Sequence, residues 1–147
     1  MLENAGAVLV TRPLLRTGVD AAGDYFTEEM MDAMVGEVQT RLNEGEIIKS
    51  WEGLCPGEGF LQGILRKVER VPRGIDATVE IFPALEAGRR ACELLDNEAG
   101  QGEPVAVGLS GRIQESVLVD RDGCTIRRID KAELLDVGVM LESQKVR

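Results

Sequence analysis

Ile75, Ala77, Val79 and Ile81 alternate with Asp76, Thr78 and Glu80, and no other segment limits the fold of this chain as strongly. Successive side chains of a strand point to opposite faces, so the pattern predicts a sheet with one buried and one polar face. Residues 60–71 before it suit a long strand. Pro72-Arg73-Gly74 lies between the two as a turn, so an antiparallel pair follows. Near the start, residues 7–11 are rich in β-branched side chains and predict a short strand that Pro13 ends.

Two segments carry helical spacing instead. Met30, Met31, Met34, Val35, Val38 and Leu42 recur at steps of three and four, which makes one apolar stripe on a helix over 27–42, with Thr27 at its start and Glu28 and Glu29 suited to its positive end. A core-facing stripe accounts for this pattern without a partner groove. The second helix is expected to have Pro83 in its first turn and Leu85, Gly88, Ala91, Cys92 and Leu95 as its stripe, with Cys92 a small core residue. Between the helices, residues 46–51 read as a short extended piece and 53–59 as a turn-rich loop. Residues 96–104 read as an acidic, glycine-rich loop. Strands are expected over 105–113, 117–119 and 125–129, with Asp122-Gly123 as a hairpin turn. A helical turn over 130–135 and a last strand over 137–141 follow. With hairpins dominating and no regular βαβ alternation, the fold class is α+β. Residues 1–147 form a single domain, an antiparallel sheet or small barrel of about seven strands with two main helices.

Composition removes whole classes of function. The 147 residues carry 17 Lys and Arg against 26 Asp and Glu, a formal charge of −9, so the phosphate neutralisation that nucleic-acid binding needs is not expected. There is no histidine, hence no imidazole base, shuttle or metal ligand, and a Ser-His-Asp triad cannot be assembled from this chain. The aromatic residues are few, which disfavours base-stacking platforms. Cys55, Cys92 and Cys124 are odd in number and far apart, and no signal-peptide pattern precedes them, so reduced thiols in a cytosolic setting are expected. No apolar run approaches the roughly 18–20 residues of a membrane-spanning helix. Neither zinc nor any cofactor is expected.

Few residues remain that could carry chemistry. Ser110 sits between Gly108 and Gly111 in an apolar segment, where a substrate oxygen can approach the backbone closely, although such a bend is also an ordinary β-bulge. Cys55 is a thiol without a histidine. Asp20 with Asp24, Glu28 with Glu29, and Asp120 with Asp122 are close pairs without calcium-loop spacing, expected at solvated turns or helix starts. Asp136 stands among apolar residues. If buried it needs a partner such as Arg66, Arg112 or Arg128, either as a structural ion pair or as the relic of a triad.

The order of the elements, with Asp24-Tyr25-Phe26-Thr27-Glu28-Glu29-Met30 leading into the first helix, Gly63-Ile64-Leu65-Arg66-Lys67-Val68 and its returning strand through Phe82 and Pro83, then Val107-Gly108-Leu109-Ser110-Gly111 and Leu134-Leu135-Asp136-Val137-Gly138-Val139, resembles the caudovirus prohead maturation proteases. That family shares its fold with the herpesvirus assembly proteases, and the resemblance runs from about Thr17 to Leu141. It implies a Ser-His-acid peptidase acting on scaffold and capsid proteins, with Ser110 on the nucleophile and Asp136 on the acidic member. The histidine has no counterpart here. The family's position falls in Ile47-Ile48-Lys49-Ser50-Trp51-Glu52-Gly53, and Trp51 is the best match for its replacement. An indole N–H donates only and takes no proton from serine. Lys49, two residues away on the same face of an extended strand, is the one alternative base, and it would need burial away from Glu46 and Glu52.

The resulting expectation is a catalytically inactive, prohead-protease-like virion protein, made in the host cytoplasm. It would act structurally in capsid assembly or stabilisation, as a decoration or cement protein or an internal head protein. Its partners would be capsid or other head proteins, with a homo-oligomer allowed and neither nucleic acid nor membrane involved. Because the last family-like strand ends just before Arg147, no appended scaffold segment is expected. The alternative is an active maturation peptidase using Ser110 with a non-histidine base.

Overall fold

A computed structural model describes residues 6–20 and 23–145. It is a mixed α+β structure whose seven strands form one curled, half-barrel sheet with two main helices and one short one. The order along the chain is β1 (Val8–Arg16), β2 (Asp24–Phe26), α1 (Glu28–Asn43), β3 (Lys49–Trp51), a single 3-10 turn (Glu52–Leu54), β4 (Leu61–Val71), β5 (Gly74–Ile81), α2 (Glu86–Ala99), β6 (Val105–Arg121), β7 (Cys124–Leu141) and α3 (Glu142–Lys145). The strands run β1-β5-β4-β3-β7-β2, and β6 pairs with β7 along nearly its whole length. Since β6 takes one edge of β7, β3 and β2 must share the other, at Val137 and at Arg127 to Ile129 respectively.

The alternating strand behaves as its sequence requires. Ile75, Ala77, Val79 and Ile81 are all fully buried, and β5 lies antiparallel between β1 and β4. The methionine stripe of α1 is buried as well: Met30, Met31, Met34, Val35 and Val38 pack in the same core cluster as Leu65, Val137 and Val139. Thr27 caps this helix, its hydroxyl accepting from the Met30 N–H at 3.0 Å, with Glu28 and Glu29 in the first turn.

Five local expectations give way to the tertiary structure. Pro13 does not end β1: it lies inside the strand opposite Asp76. β1 is the edge of the sheet, where a missing N–H leaves no ladder bond unmade, and a bulge between Pro13 and Leu15 seats Leu14 in the core. The second helix starts at Glu86 rather than in the turn containing Pro83. Phe82 still donates to the Gln62 carbonyl at 2.9 Å as part of the sheet, and Leu85 closes the turn back to Phe82 at 3.0 Å. This helix runs to Ala99, so the acidic loop begins only at Gly100. The strands expected over 105–113 and 117–119 are one strand, β6. The helical turn expected over 130–135 is strand as well, because β6 supplies a continuous partner for β7 and the mismatch is absorbed in bulges near Ser110, Ile113 and Glu115.

Charged side chains tie these layers together. Glu98 accepts from Arg12 of β1 at 2.6 Å and from the Val105 N–H that opens β6 at 2.7 Å, which holds its carboxyl below the ordinary value of 4.5. Glu52, paired with Arg90 at 2.7 and 2.8 Å, is lowered for the same reason. A carboxylate whose folded-state pKa is depressed contributes stability above its unfolded value and loses it as pH falls through the folded one. Stability is therefore expected to be flat from about pH 7 to about pH 5 and to decline below it. Denaturant titrations between roughly pH 7 and pH 3 measure this, and Glu98→Gln should flatten part of the slope.

Candidate functional site

Ser110 and Asp136 are direct cross-strand partners in the inner half of the β6–β7 pair. The next pair is Gly111 with Leu134, so Leu135 is the extra residue of a bulge beside them. Val107 and Leu109 on β6, and Val137 and Val139 on β7, belong to or pack against the core. The alternation of a strand therefore turns Ser110 and Asp136 to the face away from it. Both are half-buried.

β3 enters the same face. Ser50 pairs with Val137, so its neighbours Lys49 and Trp51 lie on the side of the sheet that Asp136 occupies. Gly138 makes this approach possible, since a Cβ there would stand 2.5 Å from the Trp51 carbonyl oxygen. Gly108 has a related role: a Cβ would meet the Met140 side chain at 2.8 Å. The four residues read from the sequence as nucleophile, acid, lysine and histidine replacement thus share one sheet face. They do not form a bonded relay. Among the described residues no hydrogen bond joins Ser110 to Asp136 or to Lys49, whose exposed ammonium sits 5.7 Å from the centre of the Trp51 ring.

Among the described residues Asp136 makes no ion pair with any of the three arginines considered for it were it buried. Arg66 pairs with Glu80 at 2.5 Å, Arg128 with Asp130 at 2.8 Å, and Arg112 approaches Glu133 at 3.9 Å. Being half-buried, Asp136 keeps access to water and does not require one of them. Asp24, expected at a solvated turn, is instead buried and held bidentately by Arg127 at 2.7 and 2.9 Å, an arrangement that joins β2 to β7. Cys55 and Cys124 are exposed, and Cys92 is half-buried against the core, where burial raises its thiol pKa. Among the described residues no cluster of acidic or cysteine side chains could hold a metal ion, and no helix is long and apolar enough to cross a membrane.

A cavity of about 690 Å³ opens at Gly108 and Leu109, lined also by Leu14, Leu15, Leu54 and Met140, with Ser143, Gln144 and Lys145 at its polar side; neither Ser110 nor Asp136 lines it. Burial lowers the Lys145 pKa, and its ammonium donates to the Pro13 carbonyl at 2.9 Å.

No protein-family model, no curated protein and no solved structure matches this chain.

One feature of the site was not read from the sequence. Ser50, fully buried between Lys49 and Trp51, donates its hydroxyl to Gln62 Oε1 at 2.8 Å. The same oxygen accepts from the Val139 N–H at 3.0 Å, while Gln62 Nε2 donates to the Val139 carbonyl at 3.0 Å. This network fixes β3 and β4 to β7 behind the shared face. The visible signal was a glutamine inside the otherwise apolar stretch Leu61-Gln62-Gly63-Ile64-Leu65.

Proposed function

We propose that this chain is a catalytically silent relative of the prohead maturation proteases, with a structural role in assembling or stabilising a phage head. As a decoration, cement or internal head protein it would bind capsid or other head proteins and reside in the virion. The observation that carries the reading is the Ser110–Asp136 pair with Trp51 of β3 on the same face, where the sequence resemblance would have put nucleophile, acid and histidine.

Chemistry argues that the constellation is inert. A serine hydroxyl is a weak nucleophile until a neighbouring base takes its proton, and the acid of such a triad acts by orienting an imidazole. The chain contains none. Trp51 offers only a donor, and Lys49 is exposed and stacked on that ring, outside the apolar enclosure a lysine base requires. What survives is a sheet face near a cavity with both apolar and polar walls.

A serine-directed fluorophosphonate probe tests this on the folded protein from roughly pH 6 to roughly pH 10, with Ser110→Ala as the control. Labelling of the native chain should not exceed that of the variant. Stoichiometric, Ser110-dependent labelling that grows with pH would overturn the reading in favour of an active peptidase with Lys49 as its base, and cleavage of capsid or scaffold protein would then be sought.

A further inference from the structure

The outer half of β6 is built differently from its inner half. Residues 105–108 are buried, whereas 111–118 are exposed throughout, including Ile113 at 41%, Val117 at 45% and Leu118 at 71%. One edge of this segment is taken by β7, and among the described residues no strand pairs with the other. A long, apolar, unpaired edge is a template for another strand unless charge or a bulge blunts it. The bulges of this hairpin lie at Glu115 and before it, which leaves Ser116 through Arg121 in unbroken register with β7.

We propose that this edge pairs antiparallel with the same edge of a second copy of the chain, about a twofold axis at Leu118. The sequence of the edge is complementary to itself in that register. Leu118 meets Leu118, Val117 meets Val119, Ser116 meets Asp120 and Glu115 meets Arg121, with the last three pairs repeated by symmetry. Apolar faces apolar, and each end of the contact closes with an opposite-charge pair. Sliding one copy by two residues destroys the match: Leu118 then faces Ser116 or Asp120, and neither Glu115 nor Arg121 has an opposite charge. Arg121 stands at the end of the edge, with its guanidinium 5.7 Å from the centre of the Tyr25 ring of β2, on the far side of β7, so pairing with the Glu115 of a second copy requires it to swing back to the β6 edge. The contact uses neither Ser110 nor the cavity at Gly108 and Leu109, so it stands or falls independently of the function proposed above.

Sedimentation of the full chain at moderate salt, needed because each copy carries −9, should show a concentration-dependent species of twice 16.0 kDa. Leu118→Asp sets two carboxylates on the axis and should raise the dissociation constant by about tenfold or more, with an unchanged circular dichroism spectrum. Glu115→Arg alone and Arg121→Glu alone put like charges at both ends and should each weaken the dimer. Mixed together they restore both ion pairs and should form a heterodimer. A protein that stays monomeric at every concentration, a dimer indifferent to Leu118→Asp, or a mixture no tighter than its parts would each overturn the proposal.

Discussion

Replacing Gln62 by alanine should destabilise the protein by about 4 kcal/mol, measured as a fall in the denaturant midpoint. The size follows from what is left behind. Ser50 Oγ, the Val139 N–H and the Val139 carbonyl all lose their partner in a region where Gln62 and Ser50 are almost wholly inaccessible, and the missing side chain leaves a void. Ser50→Ala is milder, about 1 kcal/mol, because Gln62 Oε1 still accepts from Val139. The double variant should be less damaged than the sum, since removing the serine hydroxyl also removes one orphan that Gln62→Ala creates. Gln62→Glu supplies a sharper check. Ionised, it sets a buried charge against the Val139 carbonyl that the amide Nε2 now contacts; protonated, it regains a donor there. Its deficit relative to the native protein at the same pH should therefore shrink as the pH falls. Additive single and double variants, or a Gln62→Glu deficit that does not change with pH, would show that the network is not what holds these strands.

How much of this was legible beforehand depends on whether the signal was local. The alternation of residues 75–81 and the three- and four-residue steps of α1 are periodic within one element, and burial follows them. Pro13 and residues 130–135 misled for a shared reason. Their local preference opposed strand, and a partner strand far away in sequence, β5 for Pro13 and β6 for 130–135, outweighed it. The site shows the same division. Ser110 stood out between glycines and Asp136 among apolar neighbours, so each was visible by itself, while their register as cross-strand partners depended on a hairpin whose bulges no periodicity discloses. Ser50 is an unremarkable residue type in the sequence. Its importance arises when β3, β4 and β7 meet, and only Gln62, a polar residue in an apolar strand, hinted that a buried acceptor was needed there.

Gly88→Ala should lower stability by about 3 kcal/mol or more and the melting temperature by roughly 10 °C. Alanine normally favours a helix over glycine, so the expected sign is opposite to the intrinsic preference. The reason is the approach of α2 to the sheet: a Cβ at Gly88 would stand 2.0 Å from the Phe82 carbonyl oxygen and 3.0 Å from that of Gln62. Both obstacles are backbone and cannot rotate aside. The helix must move outward, which disturbs Ala87 and Ala91 beside it and strains the turn in which Leu85 bonds to Phe82. Because the Gln62 carbonyl also accepts from the Phe82 N–H, the shift reaches the strand that carries the buried amide network behind the Ser110 face. Gly36→Ala provides the contrast within the same protein. Gly36 is exposed on α1, nothing lies within 4 Å of a Cβ placed there, and the substitution should stabilise by about 0.5–1 kcal/mol. If both variants shifted the melting temperature in the same direction, close packing of α2 on the β5 end would not be the constraint that selects glycine at position 88.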